Sequence, residues 1–185
     1  ITEQLQKVCP NVKEMWAPPM LLNTQTFNET DLSIFSFGMA HKVRSDFYGK
    51  LSSLLEATKK SYCIYISTGL HENTSFEGSF TDALEQLDTI FGNKIYFMGF
   101  LSDIAVYNYL TKSTFLAAFF AKGVRANNTS VNAAMRSGCV VITNLDRLSP
   151  SLFIHGENIL DIHQLEELPT DPRVLSNLSN NAKQT

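Results

Sequence analysis

The sequence predicts an α/β domain of Rossmann-like architecture, with a mostly parallel sheet of about six strands and helices on both faces. The first observation behind this prediction is an alternation along the chain. Short apolar runs of strand length are followed by segments in which apolar residues recur at helical spacing. The second observation is size and composition. With 185 residues, 44% of them hydrophobic and 18% charged, the chain is long enough for one globular domain with its own core.

The first half of this domain is predicted to contain three strands and two helices. The predicted elements are strands at 31–37, 62–67 and 94–98, a helix from residue 45 or 46, and a helix at 80–90. The first helix has one apolar face, formed by Phe47, Leu51, Leu54 and Leu55. These elements alternate strand and helix, which is typical of a parallel sheet.

The second half continues the same alternation. The predicted elements are a helix at 104–110, strands at 114–120, 139–143 and 158–162, and a short helix that begins at 128–130 and ends at 138. Ser102 is a good N-cap residue for the first of these helices. Gly138 suits the C-terminus of the second, because helices often end on a glycine in the left-handed conformation.

The predicted domain organisation has three parts. Residues 1–30 are predicted to contain a short helix and a proline-rich extended segment, which together suggest an arm or linker. Residues 31–175 form the Rossmann-like domain. Residues 176–185 are polar and are expected to be a fraying tail.

Composition and motifs exclude several classes of function. A net charge of −3 gives no electrostatic reason to expect a nucleic-acid partner. No apolar run reaches the roughly 18 residues of a membrane span, so we expect at most peripheral membrane association. With no visible signal peptide, we expect a cytoplasmic location, extending to the inner face of the membrane. Three cysteines without zinc-site spacing indicate buried free thiols and no metal site. No P-loop and no G-x-G-x-x-G motif follow the strands.

The segment Lys122 to Asp146 contains the predicted functional site. A buried strand ends just before this segment, and a polar loop, a short helix and a second strand follow one another within it, which completes a βαβ unit. The loop meets the helix at the carboxyl end of the strand, where open α/β sheets bind ligands. Free N–H groups at a helix start favour an anion, and Arg125 adds positive charge. The pattern therefore predicts a phosphate or diphosphate site, with an ordinary capped helix as the alternative.

Four segments in order resemble the C-terminal, nucleotide-sugar-binding half of GT-B glycosyltransferases of the retaining, group-1-like kind. The first is a strand that ends in Gly38 and is followed by Lys42 and Arg44. The second, IYFMGFLS at 95–102, is similar to the family's V-x-F-x-G-x-L-S. The third, AAMRSGCVVI at 133–142, is similar to E-A-M-A-x-G-x-P-V-I, and the fourth, FIHGENIL at 153–160, to I-x-x-G-x-N-G-x-L. The resemblance covers about residues 31–162.

This resemblance implies a binding site for a nucleotide-diphosphate sugar. Lys42, Arg44 and Arg125 would stabilise the charge that develops on the leaving diphosphate. The residues expected to contact the donor are Gly38, Met39, Gly99, Phe100, Leu101, Asn127, Asn128, Thr129 and Ser130. No metal or other cofactor is expected, because basic side chains and a helix dipole would take the metal's place.

The implied activity is transfer of a sugar to a glycan or lipid-linked acceptor, as in polysaccharide biosynthesis. The partners are then the donor, the acceptor and an N-terminal acceptor domain that this chain lacks, so the chain alone is expected to turn over little or nothing. One departure matters: the family's two glutamates fall on Arg125 and Ala133, and neither carboxylate is present. A degenerate, non-catalytic interaction domain and a nucleotide-sugar epimerase or hydrolase therefore stay open as alternatives.

Overall fold

A computed structural model of the chain describes residue 7 and residues 29–39, 44–69 and 78–185. Within these residues the chain forms six strands and five α-helices, with a short 3₁₀ helix at Gly92–Lys94. In order, the elements are β1 (Leu32–Met39), α1 (Ser45–Ala57), β2 (Tyr62–Gly69), α2 (Gly78–Phe91), β3 (Ile95–Phe97), α3 (Asp103–Lys112), β4 (Phe115–Ala118), α4 (Thr129–Ser137), β5 (Val140–Thr143), β6 (Leu160–Asp161) and α5 (Pro172–Gln184). Most of the predicted arm, and Lys42, lie outside the described residues.

All six strands are parallel and lie side by side in the order β3-β2-β1-β4-β5-β6. The predicted Rossmann-like sheet is therefore confirmed. β1 pairs with β2 on one side, where Ile34 faces Ile64, and with β4 on the other, where Ile34 faces Phe115. Successive strands are added outward in opposite directions from β1 and β4. The two strands therefore flank the topological switch point, where such sheets form a ligand-binding crevice.

The core has two layers, one on each face of the sheet, because successive residues of a strand point to opposite faces. On β1, Leu32 and Ile34 belong to the first layer, whereas Phe35 belongs to the second. The first layer is covered by α1 and α2 and the second by α3 and α4. Helices thus cover both faces, as the sequence predicts.

Two predicted helix boundaries are confirmed. Ser102 is the N-cap of α3, and its hydroxyl accepts a hydrogen bond from the Ala105 N–H at 3.4 Å. Gly138 follows α4 with φ +79°, a left-handed conformation that suits glycine. The start of α3 and the end of α4 are therefore placed as the sequence indicates.

The prediction that residues 176–185 fray as a polar tail is wrong. Residues 176–184 belong to α5, which packs against α4 and β5, and Thr185 is its C-cap residue. Leu178 and Ala182 are buried one turn apart on its inner side, and the Asp171 carboxylate caps its start by accepting from the Arg173 N–H at 2.7 Å. A narrow apolar stripe and a good cap are sufficient to hold a mostly polar helix on the domain.

The described cysteines, Cys63 and Cys139, are both buried and unpaired, as their apolar surroundings predict. Burial raises the pKa of the Cys139 thiol to about 12, so this thiol stays protonated near neutral pH. Among the helices in the described residues, none is long and apolar enough to cross a membrane.

Candidate functional site

A cleft opens at the switch point of the sheet, and we call it the switch-point cleft. The ends of β1, β2 and β4, one residue of α1 and the start of α4 form it. Its lining residues are Ser36, Phe37, Gly38, Tyr48, Ser67, Thr68, Ala118, Phe119, Phe120 and Ser130. The enclosed volume is about 20 Å³, room for one water molecule, and none of these lining side chains is charged. A larger ligand would therefore lie over the mouth of the cleft.

Hydroxyl groups make the floor of the cleft polar and neutral. The Tyr48 hydroxyl donates to the Ser36 hydroxyl oxygen at 2.9 Å. Burial raises the pKa of Tyr48 to about 12, so the phenol keeps its proton at ordinary pH. On the neighbouring strand, the Ser67 hydroxyl donates to the Gly99 carbonyl at 2.9 Å. The floor therefore offers hydrogen-bonding groups without a charge that would repel an anion.

The first turn of α4 borders this cleft and carries free donors. In any α-helix the first N–H groups have no carbonyl partner within the helix. Asn128 occupies the N-cap position, but its side chain does not bond to the helix and accepts from the Arg125 N–H instead. Within the described residues no acceptor meets the N–H groups of Thr129 and Ser130. These donors and the helix dipole suit an anion.

Arg125 is paired with Asp146, a residue that the sequence analysis did not select. Two guanidinium nitrogens of Arg125 donate to the two carboxylate oxygens of Asp146, both at 2.8 Å. One of them also donates to the Val124 carbonyl at 2.9 Å. The hydrogen bonds from Arg125 are the main reason that the pKa of Asp146 falls to about 2, and the Leu148 N–H adds to this effect. The charge of Arg125 is therefore compensated within the chain.

The loop that carries Arg125 is joined to the segment after β5 by further contacts. Asn144 is buried, and its side chain accepts from the Phe120 N–H at 2.8 Å and donates to the Phe120 carbonyl at 2.7 Å. Gly123 has φ +73°, and a Cβ atom there would lie 2.7 Å from the Asp146 Cγ. Asn144 directly follows β5, and Asp146 lies two residues after Asn144. Their position as polar residues just after the carboxyl end of a predicted strand was the sequence signal for them.

The other predicted basic residues are placed differently. Arg44 lies at the N-cap position of α1 and donates to the Asp46 carboxylate at 2.9 Å and 3.2 Å. A cation at a helix start requires a compensating anion, and Asp46 supplies it. Lys42 lies outside the described residues, and for Met39 the structure describes only the backbone in β1.

The structure brings some of the predicted donor contacts together and separates others. Gly38 and Ser130 line the switch-point cleft, and Gly99 adjoins it through the Ser67 hydroxyl. A Cβ atom at Gly38 would meet no atom of the described residues within 4 Å. Phe100 is 81% exposed and points away from the core, whereas Leu101 packs against the second core layer. Asn127 is exposed in the loop before α4.

No protein-family model matches the sequence, and no curated protein does. The fold, however, is similar to that of solved glycosyltransferase structures. The C-terminal domain of a glycosyl transferase group 1 family protein (LpcC) from Francisella tularensis superposes with a TM-score of 0.56 at 14% identity, covering 83% of this chain and 82% of that one. A glycosyltransferase from Rickettsia africae gives 0.60 at 11% identity, covering 83% of this chain and 42% of that one.

A complex of S. aureus TarM with fondaparinux, α-GlcNAc-glycerol and UDP gives a TM-score of 0.60 at 10% identity, covering 99% of this chain and 38% of that one. This chain therefore spans well under half of the two larger proteins and most of the isolated C-terminal domain. The predicted resemblance to the C-terminal half of GT-B glycosyltransferases is confirmed at the level of the fold.

Proposed function

We propose that this glycosyltransferase-like domain binds a nucleotide-diphosphate sugar and serves as the donor half of a glycosyltransferase. One observation carries the proposal: the free N–H groups that begin α4 border a neutral, hydroxyl-lined cleft at the switch point of the sheet. An anion is the ligand that such a helix start favours. The similarity in fold to glycosyltransferase structures supports a sugar nucleotide as that anion.

The proposed site places the diphosphate over the mouth of the cleft, between the end of β1 and the start of α4. The N–H groups of Thr129 and Ser130 donate to its oxygens. Gly38 leaves space beside β1, where a Cβ would have no neighbour within 4 Å in the part of the chain that the structure describes, and Lys42 and Arg44 follow that strand in sequence. As the bond to the sugar breaks, negative charge accumulates on the diphosphate, and donors fixed in advance stabilise it. Basic side chains and the helix dipole serve in place of a metal.

The sugar and ribose contacts must differ from those of the family that the sequence resembles. Its two glutamates correspond to Arg125 and Ala133, and Ala133 packs against the second core layer. Two nearby amides already have partners, because the Asn128 side chain accepts from the Arg125 N–H and the Asn132 side chain donates to the Ala126 carbonyl at 2.8 Å. We therefore propose that neutral hydroxyl and backbone groups hold the sugar and the ribose of the donor here, in place of carboxylates.

The acceptor and most of the catalytic apparatus would come from an N-terminal domain. The acceptor in this proposal is a glycan or a lipid-linked sugar, handled in the cytoplasm or at the inner face of the membrane. The chain by itself is expected to bind donor weakly and to transfer little sugar.

A non-catalytic interaction domain is the second candidate, and one observation favours it. Both glutamate positions are altered, and the Arg125 that replaces one of them is already paired with Asp146. In that case the fold would persist without a working donor site, and no nucleotide would bind.

A ligand screen by thermal shift and calorimetry decides between the two candidates. The chain is mixed with UDP, GDP, ADP, CMP and their sugars, and with the matching nucleosides as controls. Binding to the folded state alone stabilises it by about 2.7 kcal/mol at a hundredfold excess over Kd. We expect one nucleoside diphosphate to raise the melting temperature while its nucleoside does not, because the site recognises the anion. Flat curves for the whole panel at millimolar concentration would contradict the donor-site proposal.

A further inference from the structure

We propose that Arg125 and Asp146 form a positioning pair that holds the start of α4 in place, and that Arg125 is not itself a ligand of the anion. The proposal rests on the proposed function, since the anion site that the pair would position is the diphosphate site at α4. The proposal gives Asp146 a role in positioning α4. It also makes Arg125 a positioning residue, whereas its charge alone suggests an anion ligand.

Three of the five N–H donors of Arg125 are already occupied. Its guanidinium makes two parallel hydrogen bonds to the Asp146 carboxylate, each 2.8 Å long, and a third to the Val124 carbonyl. Such two-pronged arginine–carboxylate pairs are among the stronger charged hydrogen bonds in proteins. Both side chains are about one-third exposed, 29% for Arg125 and 34% for Asp146. A phosphate that approached the two guanidinium nitrogens facing Asp146 would have to displace a carboxylate, which is also an anion, from hydrogen bonds of good geometry.

Asp146 is held from its own side, so the carboxylate is in position whether or not Arg125 meets it. The Leu148 N–H donates to this carboxylate at 2.9 Å, and the Ser149 hydroxyl donates to it at 3.3 Å. The Asp146 N–H in turn donates to the Ser149 hydroxyl oxygen at 3.0 Å. The turn after β5 therefore presents a fixed anion to the loop before α4.

The pair reaches the helix start through Asn128. The backbone N–H of Arg125 donates to the Asn128 side chain, and the Asn128 N–H donates back to the Arg125 carbonyl at 3.0 Å. Asn128 immediately precedes the free N–H groups of Thr129 and Ser130. Anchoring Arg125 to Asp146 therefore fixes the residue from which α4 begins, and the donors of its first turn keep their direction.

Gly123 lies close against the Asp146 carboxylate, so the loop before α4 also contacts Asp146 at this residue. A Cβ at this residue would lie 2.7 Å from the Asp146 Cγ, in a backbone conformation with φ +73°. The loop thus contacts Asp146 through Gly123 as well as through Arg125. Gly123 and Arg125 thus both hold the loop before α4 against the Asp146 carboxylate.

The test is the sign of one effect, the change in nucleotide affinity on Asp146→Asn. If Arg125 were an anion ligand restrained by Asp146, removing the carboxylate charge would release a cation and binding would become tighter. If the pair positions the helix, binding becomes weaker, by about fivefold or more. Calorimetry with whichever of UDP, GDP or ADP binds the unmodified chain measures the change. Tighter or unchanged binding would overturn the proposal.

The exchange of the two charges gives a matched rescue. The double variant Arg125→Asp with Asp146→Arg restores an ion pair between the loops but removes the cation from the helix side. We expect it to recover part of the affinity that Asp146→Asn loses. A ligand role for Arg125 predicts instead that the double variant binds as poorly as Arg125→Ala, and that result would overturn the positioning pair.

Amide hydrogen exchange separates failure of this proposal from failure of the proposed function. In the chain without ligand, Asp146→Asn should speed exchange at residues 125–132, while the amides of β1 and β2 keep their rates. Unchanged exchange at 125–132 would refute the positioning role even if nucleotides bind. Faster exchange with no nucleotide binding at all would support the positioning pair and refute the donor-site proposal.

Discussion

Replacing Thr129 by proline tests the helix-start donors with little disturbance of the fold. Thr129 is the first residue of α4, and its N–H has no partner in the helix. Proline is well tolerated at this position because it lacks only that unpaired N–H and its φ is suited to a helix. The preceding Asn128 has φ −77° and ψ 91°, the extended conformation that a residue before proline adopts. The substitution therefore removes one donor and leaves the helix intact.

The expected loss of affinity follows from the kind of hydrogen bond removed. A hydrogen bond to a charged group contributes about 1.5–3 kcal/mol. Since about 1.4 kcal/mol corresponds to a tenfold change in Kd, Thr129→Pro should weaken diphosphate binding roughly tenfold to hundredfold. Thr129→Ala is the matched control, because it removes the same side chain but keeps the N–H.

Isothermal calorimetry with the nucleotide that binds the unmodified chain gives the two Kd values, and circular dichroism gives the two melting temperatures. We expect the alanine variant to bind like the unmodified chain and the proline variant to bind more weakly, at similar melting temperatures. Equal Kd values for the two variants would show that the Thr129 N–H does not contact the anion. The proposed diphosphate position would then be wrong.

Three further predictions concern stability. Leu178→Ala in α5 should lower the free energy of unfolding by about 2–5 kcal/mol because Leu178 is buried. If Leu178→Ala and the exposed control Asn177→Ala unfold at the same urea concentration, α5 is not docked on the domain. Gly123→Ala should destabilise more than Gly156→Ala, because both have positive φ but only Gly123 would place a Cβ against Asp146; equal midpoints would refute that packing. The pKa of Asp146 is lowered to about 2, so the stability that this carboxylate contributes is present above about pH 4 and is lost as the pH falls toward 2. The difference in melting temperature between the unmodified chain and Asp146→Asn should therefore shrink between about pH 4 and pH 2. A constant difference would show that the ion pair does not stabilise the fold.

Local patterns in the sequence were sufficient to predict most of the elements. Ser102 and Gly138 mark helix ends because the backbone groups at those ends require a cap or a left-handed residue wherever the helix lies. The apolar run Val140–Thr143 is fully buried, and a parallel strand covered on both faces has that composition. Such features depend on neighbours a few residues away, so the sequence alone shows them.

The sequence around α5 contained helix signals that the prediction of a fraying tail did not take into account. Its polar composition, rich in asparagine and serine, has low intrinsic helix propensity, which favoured the prediction of a fraying tail. Asp171 as the cap, Pro172 as the first helical residue and buried positions at helical spacing were nevertheless present. Packing against α4 and β5 overrides the weak propensity.

By itself, the sequence determined the class of fold, the alternation of strands and helices, and the place of a polar loop before α4. Only the tertiary structure decided which side chains meet there. Arg125 and Asp146 are 21 residues apart, and they pair because β4 and β5 are adjacent and their following loops leave the same edge of the sheet. The switch-point cleft likewise depends on β1 lying beside β4, a contact between strands about 80 residues apart. Helix and strand patterns are short-range, whereas the charge available to a ligand depends on long-range pairing, and here that pairing has compensated Arg125.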